Sequence, residues 1–234
     1  MNPKSILIIK PGSLGDIIHT LPAIALLRKA HPHAEITWVI DAELAPLLRG
    51  NPDVNHVHFL PRGELRALGA PTSLLPWLKK SGQIHPDLAL DFQGSLRSIL
   101  IAKISGAKEI YGMNNPLAGA TWFYDRVARV NRRSHPVERY LKLAECAGAT
   151  VGESLRCSVP SGDPLPRFDA HPPFVLLHPF ARGQDKSLSN RAIEEFCQSH
   201  GISRATFYNL TEARGWSADY ESGRQNPDLH GGSV

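Results

Sequence analysis

The sequence predicts an α/β fold with a parallel sheet over residues 1–150, and two observations carry that prediction. Short, β-branched apolar runs such as Ser5–Lys10 lack polar alternation, as strands buried on both faces do. Stretches with helical spacing separate these runs, and repeated βα units favour a parallel sheet covered on both sides.

The elements follow in order. Ser5–Lys10 is the first strand, and Pro11-Gly12-Ser13-Leu14-Gly15 is a turn. Ile17, Ile18, Leu21, Ile24 and Leu27 then space a helix to about Ala30, with Pro22 a candidate kink. Glu35–Ile40 is the second strand, Glu43–Arg49 a short helix, and Val54–Leu60 a third strand with apolar alternation. Leu74–Lys80 reads as helix. Leu88–Asp91 is a fourth strand closed by the turn Phe92-Gln93-Gly94, followed by a helix over Ser95–Ile104 and a short strand at Glu109–Tyr111. Pro116–Arg126 and Pro136–Ala147 are helix candidates. Residues 151–173 are rich in Pro, Gly and Ser and read as a linker. Phe174–His178 opens a second unit over 174–190, and Asn190–His200 and Arg204–Ala213 are further helix candidates. Residues 216–234 show no apolar periodicity and are expected to be a disordered tail.

Composition narrows the class. The 234 residues are 42% hydrophobic, which suits a globular chain. No run approaches the roughly 18 apolar residues of a membrane span. The N-terminus has too short an apolar core, and too early a charge at Lys10, for a signal peptide. The three cysteines form neither a disulfide framework nor a zinc signature, and the eleven histidines show no paired ligand spacing. His31, His33, His56 and His58 are read as surface or turn residues. These readings predict a soluble, cytoplasmic protein without a metal or cofactor. The net charge of +4 is uneven: residues 187–234 hold four basic and six acidic residues, so the positive surplus lies in the body.

A strand, a glycine turn and a helix start in succession make an anion-friendly site, because backbone N–H groups and the helix dipole point outward there. The segment PGSLGD has neither GxGxxG nor GK[ST]. Asp16 is read either as the cap of that helix, the more frequent role, or as a catalytic base at a strand's carboxyl end.

Four segments carry a resemblance: ILIIKPGSLGDIIHTLPAIALLRKAHPHAEITWVID at the N-terminus, DFQGSLRS at Asp91–Ser98, HPVERYLKL at His135–Leu143, and LLHPFARGQDKSLS at Leu176–Ser189. Together, in this order, they resemble the bacterial lipopolysaccharide heptosyltransferases, glycosyltransferase family 9. The resemblance implies a GT-B fold of two Rossmann-like domains, of which residues 1–150 would be the acceptor side. It implies ADP-heptose as donor, a lipid A–Kdo core saccharide as acceptor, no bound metal, and transient contact with the inner-membrane surface. It places Asp16 as general base, Lys186 at the donor phosphates, and Arg182 beside it. Lys10, Ser13, Gly15, Gln93, Arg132, Arg133 and Arg139 are the acceptor-side candidates. Lys10 is read equally as a strand-end charge in water, and Asp91 as a cap of the following helix. Glu138 and Arg139 have the neutral reading of a surface ion pair. Six basic residues (Arg126, Arg129, Arg132, Arg133, Arg139, Lys142) accompany one acid, Glu138, over 126–142. Such a run is usually a solvated face, and an anionic acceptor supplies another reason for it.

The family pattern stops early. Only 48 residues follow Lys186, fewer than a second Rossmann-like domain needs. The chain is therefore expected to be truncated in that domain and to transfer sugar slowly or not at all. Ile193–Gly215 instead has a helix–turn–helix pattern over the hairpin 191–215, with Arg204, Thr206 and Asn209 near the start of its second helix. Its local charge disfavours DNA as a partner. The alternatives are a non-catalytic acceptor-binding fragment and a DNA-binding regulator.

Overall fold

The computed structural model describes residues 2–60, 71–114, 120–152, 157–162, 189–199 and 201. The chain divides into two compact units, 1–164 and 165–234. In the first, six strands form one sheet: β1 (Ser5–Ile9), β2 (Glu35–Asp41), β3 (His56–Leu60), β4 (Leu88–Asp91), β5 (Glu109–Met113) and β6 (Arg126–Ala128). Their spatial order is β3-β2-β1-β4-β5-β6, and every pairing is parallel.

Strand alternation divides the apolar residues between two layers. Ile6 and Ile8 face a core shared with helix α1 (Leu14–Ala30) and helix α4 (Pro136–Cys146), through Ile17, Leu21, Ile24, Leu143 and Ala144. Leu7 and Ile9 face the other layer, with Ile99 and Ala102 of α3 (Leu96–Ile104) and Trp77 of α2 (Pro71–Ser81). Burial on both faces explains why β1 reads as a continuous apolar run. The strand order reverses between β1 and β4, and the helices that follow these two strands cover opposite faces. That leaves a crevice at the carboxyl ends of β1 and β4, where open α/β sheets bind ligands.

Several expectations need correcting. Pro22 lies within a helix that runs on to Ala30, held by its buried face. The helix expected at Glu43–Arg49 is a 3-10 helix at Ala42–Leu48; Pro46 within it has no N–H for an α-helical bond. Within the helix candidate Pro116–Arg126, Ala120–Phe123 is a 3-10 turn and Arg126 begins β6. Asp125 sets that strand's entry: its N–H donates to the Ile110 carbonyl, and its carboxylate accepts the Ile110 N–H at 2.8 Å. Three strand residues are too few to show a period. His31 and His58 are buried, not on the surface; His31 Nε2 lies 2.7 Å from the Ala147 carbonyl and His58 Nε2 2.8 Å from Ser81 Oγ.

In the second unit, α5 (Asn190–Ser199) matches the expected first helix of the hairpin, with Ile193 and Cys197 buried one turn apart. The strand at Phe174–His178, the helix at Arg204–Ala213 and the tail at 216–234 lie outside the described residues, as does most of the linker. Among the described residues no helix is long and apolar enough to cross a membrane.

Gly112 is fixed by packing. A Cβ there would collide with the ring of Tyr124. Gly112→Ala should therefore lower stability by about 1–3 kcal/mol, the range for an overpacked core. An unchanged thermal midpoint would show that Tyr124 moves aside freely.

Candidate active site

The turn after β1 places three polar side chains at the crevice. Ser13 is the N-cap of α1, and Asp16 is the third residue of the helix. The expectation of Asp16 as the cap is thus corrected by three positions: Asp16 reaches back instead, as the acid of a capping box does. Its Oδ2 accepts the Ser13 N–H and Oγ–H, each at 3.1 Å. Its Oδ1 accepts the Tyr140 hydroxyl at 3.2 Å. Asp16 remains 36% exposed, so Oδ1 keeps access to a ligand.

Lys10 is not a strand-end charge in water. Its side chain is only 4% exposed, with Nζ 3.7 Å from Asp16 Oδ2. Nζ donates to the Phe92 carbonyl at 3.4 Å and lies 5.2 Å from the centre of the Tyr140 ring. Trp38 Nε1 donates to the Lys10 carbonyl at 3.0 Å and anchors this strand end.

Opposing influences set the charges. Partial burial pushes the Asp16 carboxyl up, but Lys10 and the Ser13 and Tyr140 donors outweigh it and hold the group below its usual value. Burial lowers Lys10 despite the pull of Asp16 and Asp91. Burial and the adjacent Asp16 charge push the Tyr140 phenol well up, so it stays a donor.

The turn after β4 supplies the facing wall. Asp91 is fully buried and is not the cap of α3; that role falls to Ser95, whose Oγ accepts the Ser98 N–H. The Asp91 carboxylate accepts the Gln93 and Gly94 N–H groups at 2.9 Å, Ser98 Oγ at 2.8 Å and Tyr124 OH at 2.7 Å. Burial raises its pKa against those donors. Its position fixes a turn in which Gly94 takes φ +68°.

Between the walls lies a cavity of about 350 Å³. Lys10, Asp16, Gln93, Asn114, Arg132 and Arg139 supply its polar lining, and Phe92, Met113, Val130 and Tyr140 the rest. Among the described residues, Gln93 Oε1 and Arg139 Nε are buried there without partners, and such groups favour a polar ligand. Five candidates thus converge. Ser13 acts by holding Asp16, and Gly15 lines no wall; a side chain at Gly15 would meet open space. Arg133 is exposed outside the cavity, its N–H bonded to Asn131 Oδ1. The basic run does not act as one cluster: Arg126 stacks on Tyr111, and Lys142 pairs with Glu145 at 2.7 Å. Arg139 faces the cavity rather than Glu138, since adjacent helix positions diverge. Lys186 and Arg182 lie outside the described residues. Tyr140 and Asn114 escaped sequence reasoning: a tyrosine in a helical stripe reads as core, and only the fold brings it to Asp16.

A larger cavity, about 560 Å³, opens at the amino edge of the sheet around Ser5, Glu35, His56 and His58. Three of its ionisable side chains already have partners, His56 with Glu35 at 3.0 Å and His58 with Ser81, and Lys80 also lines it. Among the described residues, none of its lining side chains has a buried polar atom without a partner, unlike Gln93 and Arg139 in the smaller cavity.

The sheet order and the crevice define an open, parallel α/β domain, and residues 79–202 match glycosyltransferase family 9 (heptosyltransferase). The chain belongs to that family. It is 28% identical over 157 residues to lipopolysaccharide heptosyltransferase 1 of Pseudomonas aeruginosa, covering 59% of this chain and 41% of that protein. It is 26% identical over 153 residues to the lipopolysaccharide core heptosyltransferase OpsX of Haemophilus influenzae, covering 64% and 42%. The fold resembles that of the Escherichia coli heptosyltransferase WaaC with ADP-2-deoxy-2-fluoro heptose: TM-score 0.58, 24% identity, 64% of this chain and 50% of that one. The chain thus spans about two fifths of the length of these curated relatives.

A depressed carboxyl has a defined pH signature. Asp16 contributes stability above its unfolded pKa, about 3.9, and loses it as pH falls through the lower folded value. Carbon-detected NMR titration should place the Asp16 midpoint below about 3.9, and Lys10→Met should move it upward. A midpoint unmoved by Lys10→Met would remove Lys10 as its electrostatic partner.

Proposed function

We propose that residues 1–150 form the acceptor-binding domain of a heptosyltransferase of lipopolysaccharide core assembly, with ADP-heptose as donor and lipid A–Kdo as acceptor. The observation that carries this reading is an ionised, half-exposed Asp16 beside a basic cavity at the β1–β4 crevice. In the reaction an acceptor hydroxyl oxygen bonds to the anomeric carbon of the heptose. The bond from that carbon to the diphosphate breaks, and ADP departs with its electron pair. Asp16 Oδ1 takes the hydroxyl proton. The Ser13 and Lys10 contacts hold Oδ2, leaving Oδ1 to face the substrate. Arg132 and Arg139 receive acceptor phosphate or carboxylate groups, for which guanidinium forks are suited. Lys186 and Arg182 are proposed at the donor diphosphate, and the work is proposed to occur at the cytoplasmic face of the inner membrane.

Acceptor binding tests the reading most simply. A phosphorylated Kdo saccharide should bind more tightly than its neutral counterpart. The double variant Arg132→Ala, Arg139→Ala should weaken it by about tenfold or more at low salt. Equal affinity for both saccharides would refute the acceptor role. Any transfer from ADP-heptose should fall by about 10² to 10⁴-fold in Asp16→Asn. Transfer retained in that variant would remove Asp16 as base.

A further inference from the structure

The outer face of α3 and the 3-10 turn beside it is unusually apolar. Trp122 is 90% exposed, Leu96 61%, Leu100 58% and Phe123 49%. Leu96 and Leu100 lie one helical turn apart and share a face, and the 3-10 turn that carries Trp122 and Phe123 packs against α3. The opposite side of α3 is fully engaged, with Ile99, Ile101 and Ala102 buried against the sheet. The four exposed side chains are therefore surplus to the core. A nearly bare tryptophan is costly in water, and grouped exposed apolar side chains mark a contact surface.

The charges around them select the partner. Arg97 and Lys103 are exposed on α3, and neither α3 nor the 3-10 turn contains an acidic residue. Asp125, two residues beyond the turn, is exposed, and its carboxylate accepts the Ile110 N–H. Exposed Arg126 follows. Tryptophan, phenylalanine and leucine rimmed by Arg and Lys are the composition of elements that lie in the headgroup layer of an anionic bilayer. A second copy fits less well, because twofold pairing of this face would oppose Arg97 and Lys103 to their own images.

We propose that Leu96, Leu100, Trp122 and Phe123, flanked by Arg97 and Lys103, form a docking face for an anionic phospholipid surface. Helix α3 starts at Leu96, three residues after Gln93, so docking there holds the cavity beside the lipid headgroups. This deepens the reading of a lipid-linked acceptor and rests on it only for the purpose of the contact.

The full chain is tested by co-sedimentation with vesicles of phosphatidylethanolamine and phosphatidylglycerol, and with phosphatidylcholine alone. The expected result is binding to the anionic vesicles only, weakened by 0.5 M salt. Trp122→Ala with Phe123→Ala, and separately Arg97→Gln with Lys103→Gln, should each lower partitioning by about tenfold. Circular dichroism should show both variants folded, as expected for exposed positions. Arg132→Ala with Arg139→Ala should leave vesicle binding unchanged while weakening the soluble phosphorylated saccharide, which separates this face from the acceptor cavity. No binding to anionic vesicles, or equal binding by the Trp122/Phe123 variant, overturns the proposal. So does a concentration-dependent dimer abolished by that variant, since the face would then belong to a second copy.

Discussion

A lysine buried at the end of β1 is the constraint around which the site is organised. An ammonium removed from water costs several kcal/mol unless its surroundings restore the lost solvation. Lys10 has no single close partner to do so. It draws instead on the Asp16 carboxylate, the Phe92 carbonyl, the Tyr140 ring and the more distant Asp91 charge. Those four groups come from the first turn of α1, the strand and turn of β4, and α4. Satisfying one cation thus brings three segments, spread over more than a hundred residues of sequence, to one point.

The same arrangement suits the chemistry proposed for it. Lys10, Ser13 and Tyr140 hold the Asp16 carboxyl below its usual value, and its Oδ2 is occupied by the Ser13 N–H and hydroxyl. What remains is Oδ1, aligned by a phenol that burial keeps protonated. Across the crevice, Asp91 does the corresponding work for the β4 turn. Four donors converge on its buried carboxylate, so the Gln93 side chain is presented from a rigid turn rather than a loose one. Such preorganisation is what a proton acceptor and an orienting amide need if they are to act without rearrangement.

Much of the fold was legible because buried parallel strands announce themselves as apolar runs, and β1, β2 and β4 lie within a residue of where the sequence places them. β6 was hidden because Arg126–Ala128 is too short for periodicity and owes its place to Asp125 and Tyr124. At the site, Asp16, Gln93, Arg132 and Arg139 were legible from turns, charge and family likeness. Burial was not: Lys10 and His31 carry polar side chains that sequence assigns to water, and only the packed neighbours reveal otherwise. Tyr140 was hidden for the opposite reason, since its helical spacing suits a plain core residue. Arg133, adjacent to Arg132, shows that a charge run does not say which member turns inward.

The claim most open to direct test is that the β1–β4 crevice, rather than the larger cavity at the amino edge, receives the ligand. Backbone amide shifts of the labelled chain, titrated with a phosphorylated Kdo saccharide, measure this. The account predicts saturable shifts at Ser13, Gln93, Gly94 and Asn114. Shifts confined to Ser5, Glu35, His56 and His58, with the crevice silent, would contradict it.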